Sequence, residues 1–160
     1  MVRYPNSFTQ NCSQYSQDTE SRKTGGAPPR DIHVAIGNFI LDAMNGGPII
    51  VQGDGTPQRS YLYATDLAIW LWTILFKGQS CRPHNVESNE SFSTAEVAQC
   101  VAKQFPETIG VKIIGIANPQ KRPERYIPVI QRARNELGLS TSITLSKALC
   151  LTIKNLKHGT

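Results

Sequence analysis

Gly53-Asp54-Gly55-Thr56-Pro57-Gln58-Arg59-Ser60-Tyr61-Leu62-Tyr63-Ala64-Thr65-Asp66 is the stretch whose reading decides the fold. Its residue types predict a tight glycine turn, an arginine at the exit of that turn, a short strand and the cap of a helix. Arg59 then stands on a short rigid loop, where a guanidinium can grip an anionic ligand in a fixed fork. The competing reading is an ordinary solvated arginine. Ile49-Ile50-Val51 just before the turn predicts a short apolar strand. Ser60 to Ala64 predicts another, with Tyr61 and Tyr63 packing on one face and Leu62 on the other. Thr65 or Asp66 is expected to cap the following helix, which runs to about Lys77 and stops at Gly78. Its core, Leu67 to Phe76, is apolar nearly all round, so burial on most sides is expected.

Working outward, Ile36, Phe39, Ile40, Ala43 and Met44 share one helical face, and Gly46-Gly47-Pro48 ends that helix. His84 to Glu87 predicts a brief strand. Ser93-Thr94-Ala95-Glu96 has the form of a capping box, opening a helix that groups Val97, Ala98, Val101, Ala102 and Phe105 and ends at Pro106. Val111 to Ile116 predicts a strand. Pro128 can start a helix that Gly138 closes, and a last helix from Leu145 aligns Ala148, Leu149, Thr152, Ile153 and Leu156. Helices alternating with short strands predict a mixed α/β fold. Residues 1–30 are rich in Gln, Ser, Asn and Thr and show no stable periodicity. A disordered or partner-ordered segment is expected there, followed by a domain over residues 31–158.

The chain has 160 residues, enough for one ordinary domain. Its longest apolar run is far short of the ~20 residues that cross a bilayer, and its start lacks an apolar signal core. A cytoplasmic chain is expected, in which the Asn11 and Asn89 sequons carry no meaning. Cys12, Cys81, Cys100 and Cys150 show no metal-ligand spacing, and free thiols are the expectation. The net charge of +5 is uneven: residues 1–117 hold nine basic against ten acidic groups, residues 118–160 eight against two. Solvated lysines explain much of this excess. No aromatic interleaving or recognisable motif supports a nucleic-acid partner.

The glycines of the decisive stretch are not a dinucleotide fingerprint, because they contain Pro57 and lead into a strand rather than a helix. No Gly-x-x-Gly-x-x-Gly occurs elsewhere. Tyr4, Tyr15, Tyr61, Tyr63 and Tyr126 are followed four places on by Phe8, Thr19, Thr65, Leu67 and Ile130, so no Tyr-x-x-x-Lys pair exists.

The decisive stretch nonetheless resembles the Gly-Asp-Gly-x-x-x-Arg-x-x-x-Tyr-x-x-Asp segment of the NAD(P)-dependent nucleotide-sugar epimerases and dehydratases, the extended short-chain dehydrogenases. Asp31 to Ile40 looks like the helix leading into the substrate site of members that resemble dTDP-glucose 4,6-dehydratase. Asn85-Val86-Glu87-Ser88 is similar to the family's Tyr-Asn-Val-Gly-Ser strand, with His84 in place of the tyrosine and Glu87 in place of the glycine. Arg125-Tyr126 and Glu136-Leu137-Gly138 resemble the closing Arg-Tyr segment and the Glu-Leu-Gly motif. Arg3-Tyr4-x-Asn6 echoes a preceding Arg-x-x-Asn strand, without its Gly-Pro.

The resemblance implies a partial Rossmann-type chain: the helix-rich C-terminal substrate half, without the cofactor-binding half. It implies that Asn38, Gln52 and Arg59 touch a nucleoside-diphosphate sugar, and that Arg122 or Arg125 is a second phosphate-contacting arginine. In the family, NAD(P) transiently oxidises a sugar hydroxyl, with the tyrosine of the Tyr-x-x-x-Lys pair exchanging the proton. With neither fingerprint nor pair present, no catalytic residue is expected. The expected partners are the sugar nucleotide and, for the uncovered apolar surface, a separate cofactor-domain chain or self-association. A solitary binding module and a non-functional fragment are the alternatives.

Overall fold

The computed structural model describes residues 35–158, and the expectations for residues 1–34 lie outside them. The described elements run α1 (Ala35–Met44), β1 (Ile49–Val51), β2 (Gln58–Arg59), α2 (Ala64–Lys77), β3 (Phe92–Ser93), α3 (Thr94–Ala102), β4 (Val111–Ile113), β5 (Arg125–Tyr126), α4 (Gln131–Leu137) and α5 (Leu145–His158). This is the expected mixed α/β alternation. Two small sheets result. β1 pairs in parallel with β4, Ile49 opposite Val111. β2 lies between antiparallel β3 and parallel β5.

The main core sits on β1. Phe39, Ile40 and Ala43 of α1, Val97, Ala98 and Val101 of α3, and Leu145, Leu149 and Ile153 of α5 close over Ile49 and Val51. These residues recur at helical spacing on α1, α3 and α5, so each helix has one apolar stripe to bury. Val97 and Val101 are fully buried, worth roughly 1.5–3 kcal/mol each relative to exposure. Ser93 opens α3 as expected: its Oγ accepts from the Glu96 N–H at 3.2 Å, and its own N–H donates to Glu96 Oε2 at 2.7 Å. A second core joins α2 to α4 through Trp70, Ile130, Ala133 and Leu139. Gly138 closes α4 at φ 66°, the left-handed C-cap that glycine permits.

Four expectations need correction. The second strand is Gln58–Arg59, not Ser60–Ala64: backbone bonds from Gln58 N–H to Glu124 O and from Thr94 N–H to Pro57 O fix pairing one step earlier. His84–Glu87 forms no strand and joins no ladder among the described residues. Tyr63, not Thr65 or Asp66, is the N-cap of α2. Asp66 lies in the first turn, 2% exposed, and its Oδ2 accepts from the Ser142 and Ile143 N–H groups at 3.0 Å each. It ties α2 to the loop before α5. Finally, α2 is buried on one side only: Trp70 is 1% exposed, yet Leu71, Trp72, Leu75 and Phe76 stand at 52%, 59%, 68% and 76%.

Candidate functional site

Val51 ends β1, and the chain turns at once through Gly53 (φ 78°) and Gly55 (φ 73°). Asp54 Oδ1 accepts from the Thr56 N–H at 3.0 Å and from its hydroxyl at 2.9 Å, closing the turn locally. Those bonds, the backbone one first, hold the Asp54 carboxyl below the usual carboxylate range. Two other segments pin the turn. The Gly115 N–H donates to Gly53 O at 2.7 Å, and the Ala95 N–H to Gly55 O at 3.0 Å. Gly115 lies so close that a Cβ there would come within 2.4 Å of the Gly53 carbonyl carbon. The turn is therefore held by its own side chains, by the start of α3 and by the chain leaving β4.

Arg59 follows in β2, in a strand rather than on the loop itself. Its Nη1 donates to Gln58 O at 2.9 Å, and its Nη2 lies 3.1 Å from Glu124 Oε1. About a third of the Arg59 side chain is exposed. Register partners share a side of the sheet. Arg59, Phe92 and Tyr126 thus face one way, and Gln58, Ser93 and Arg125 the other. The ladder brings Arg125 next to β2 but one residue out of step with Arg59. Arg122 is exposed in the connection ahead of β5, Gln52 is exposed at the mouth of the turn, and Asn38 is half-buried on α1.

Three groups near Arg59 escaped sequence reasoning. Glu124 occupies the guanidinium, and only its proximity to Arg125 hinted at it. Glu87 is half-buried, and burial pushes its carboxyl up although the Ser88 N–H and the Ser60 hydroxyl pull it down. Tyr61 is likewise raised by burial, with Arg59 opposing and Glu87 adding. The signal for Glu87 was its departure from the glycine of the motif. A separate cavity of about 360 Å³ is lined by Lys77, Gln79, Arg82, His84, Glu136 and Leu137, none of them an anticipated site residue.

Residues 23–87 match the model of the NAD dependent epimerase/dehydratase family. Over that stretch the chain is similar to that family. It is 28% identical over 116 residues to UDP-glucuronic acid decarboxylase 5 of Arabidopsis thaliana, covering 72% of this chain and 33% of that protein. In structure it is similar to a UDP-glucuronic acid 4-epimerase variant of Bacillus cereus, solved with UDP-4-deoxy-4-fluoro-glucuronic acid and NAD. There the TM-score is 0.68 at 19% identity, over 84% of this chain and 43% of that one. The dTDP-glucose 4,6-dehydratase of Bacillus anthracis, solved with NAD, gives 0.65 at 19%, over 98% of this chain and 54% of the other. The chain thus spans about a third of the length of the curated relatives it matches first and about half of the solved ones.

The similarity to that family implies NAD. The glycine turn does not fit that group, because Gly53 and Gly55 lead into β2 and not to a helix N-terminus that could face a pyrophosphate. Among the described residues, no cluster of three or more His, Cys, Asp and Glu could hold a metal, and no helix is long and apolar enough to cross a membrane.

Proposed function

We propose that this chain holds a nucleoside-diphosphate sugar, of the dTDP- or UDP-glucose type, as the C-terminal substrate half of an epimerase or dehydratase. The observation that carries the reading is Arg59, set in the middle strand of a sheet and immediately after a turn pinned from two sides. A guanidinium so placed loses little freedom on gripping a diphosphate bidentately. Arg122 or Arg125 adds the second positive charge, Gln52 and Asn38 complete the contacts, and the basic excess of residues 118–160 acquires a purpose. Redox chemistry belongs to a cofactor-binding half, supplied by a separate chain or by association. The setting is cytoplasmic synthesis of surface polysaccharide or deoxysugars.

Calorimetry with UDP-glucuronic acid and with dTDP-glucose tests this. Binding by the native chain, weakened by about 1.5–3 kcal/mol in Arg59→Ala as for a charged hydrogen bond, is expected. Equal affinity in the two proteins would remove the role from Arg59. A solitary, non-catalytic sugar-nucleotide-binding or docking subunit is the second reading, favoured by the one-third coverage of the curated relatives. An inert fragment is the outcome if neither sugar nucleotide binds.

A further inference from the structure

The cavity of about 360 Å³ at the C-terminal end of α2 shares no lining residue with the Arg59 turn. Three segments build its wall. Lys77 ends α2, Gln79, Arg82 and His84 lie on the chain that follows, and Glu136 and Leu137 end α4. A turn folds Arg82 back, its backbone N–H donating to Gln79 O at 3.3 Å. Glu136 then fixes the side chains. Arg82 Nε donates to its Oε2 at 2.7 Å and Arg82 Nη2 to its Oε1, while His84 Nε2 lies 3.3 Å from Oε2. Both carboxylate oxygens are thereby occupied, and the guanidinium is gripped by its Nε–Nη2 edge. Its Nη1 has no partner among the described residues, and neither has the Lys77 ammonium or the Gln79 side-chain amide. The His84 side chain is 1% exposed, and its buried Nδ1 has no hydrogen-bond partner. A protonated ring would strand an N–H there, so the imidazole acts as a neutral brace for Glu136. Lys77 and Arg82 against Glu136 leave the wall one positive charge, and its uncommitted polar groups are mostly donors. Such a lining calls for an oxyanion.

We propose that this cavity is a second anion site, which takes the phosphate group of inorganic phosphate or of a small phosphomonoester. Lys77 supplies a point charge, Arg82 the open end of its planar fork and Gln79 an amide N–H. Glu136 and His84 touch no ligand and hold the guanidinium in place. Ligand cavities run from roughly 300 to 1,000 Å³, so this one suits a compact ligand rather than a nucleotide sugar. The site stands apart from the sugar-nucleotide reading, which uses Arg59, and the two can fail separately.

NMR titration of the full chain at constant ionic strength, with inorganic phosphate, glycerol phosphate and acetate, tests this. Saturable binding of phosphate or of the monoester is expected with a Kd of about 1 mM or tighter, and acetate should bind about tenfold more weakly. Whichever of the two phosphates binds tighter names the source of the group. The Gln79 side-chain amide signals, identified by their loss in Gln79→Ala, should move on titration. Lys77→Gln, at an exposed position, should weaken binding about tenfold with the unliganded melting temperature unchanged. Arg59→Ala should leave it as it was. Phosphate that fails to saturate, that binds no tighter than acetate or that leaves the Gln79 signals still would overturn the proposal. So would binding that survives Lys77→Gln intact or disappears in Arg59→Ala. Failure of UDP-glucuronic acid to bind, with the phosphate titration intact, would instead remove the sugar-nucleotide reading.

Discussion

Gly115 shows how far one missing methyl group can reach. Its hydrogen fits against the Gly53 carbonyl carbon and the Asp54 nitrogen, where a Cβ would sit 2.4 and 2.7 Å away. Backbone cannot yield as a flexible side chain does. Gly115→Ala should therefore destabilise the chain by about 1–3 kcal/mol, as for an overpacked site, and loosen the turn ahead of Arg59. Urea unfolding and the calorimetric affinity for UDP-glucuronic acid, measured together, check both effects; unchanged values in both would show that the turn tolerates displacement. Glu136 makes a pH prediction. Arg82 donates to both its carboxylate oxygens and His84 Nε2 lies 3.3 Å away, so its carboxyl is held at about 2, below its ordinary 4.5. A carboxyl depressed on folding stabilises the fold above its unfolded pKa and loses that contribution as pH falls through the folded value. The stability difference between the native chain and Glu136→Gln should be full at pH 7 and vanish toward pH 2. A gap independent of pH would show that the substitution acts through packing.

Asp66 is worth more to the arrangement of elements than to its own helix. Because it accepts from two backbone N–H groups 76 and 77 residues away, Asp66→Ala would bury both donors without partners. The expected loss is about 2–4 kcal/mol, since hydrogen bonds to a charged group are the stronger kind and stranded donors add their desolvation. Asp66→Asn, which keeps an acceptor, should recover part of it; equal losses in the two variants would deny the tether. Elements specified by local chemistry were legible in the sequence. The Ser93–Glu96 box, Gly138 after α4, Gly78 after α2 and the apolar stripes of α1, α3 and α5 each follow from neighbouring residues. Where the deciding partner is remote, the sequence was silent. Arg59 joins β2 because Glu124 and Thr94 reach its neighbours, and no local pattern reveals that. Asp66 looked like a cap because carboxylates near a helix start usually are one. The four positions 71, 72, 75 and 76 read as buried because apolarity reports what a residue is suited to touch, not whether that neighbour is within the same 160 residues.

At the scale of the whole molecule, the chain spans about half the length of the solved structures it resembles, and its glycine turn leads into a strand rather than to a helix that could seat a dinucleotide. Purified alone, it should show no NAD(P)-dependent turnover of UDP-glucuronic acid or dTDP-glucose. A spectrophotometric rate above background would place hydride chemistry inside these residues and overturn that division of labour. The family resemblance was legible from motifs spread along the chain, whereas the distribution of its open surfaces emerged only when helices and strands were placed together. The Arg59–Glu124 contact has a consequence for any ligand. The guanidinium already carries a tethered counter-ion, so on the proposed reading a phosphate that takes the same Nη2 edge enters by exchange with it. A released acid would then stand as a like charge beside the newcomer, and the sheet that presents the arginine also meters how tightly it can be held.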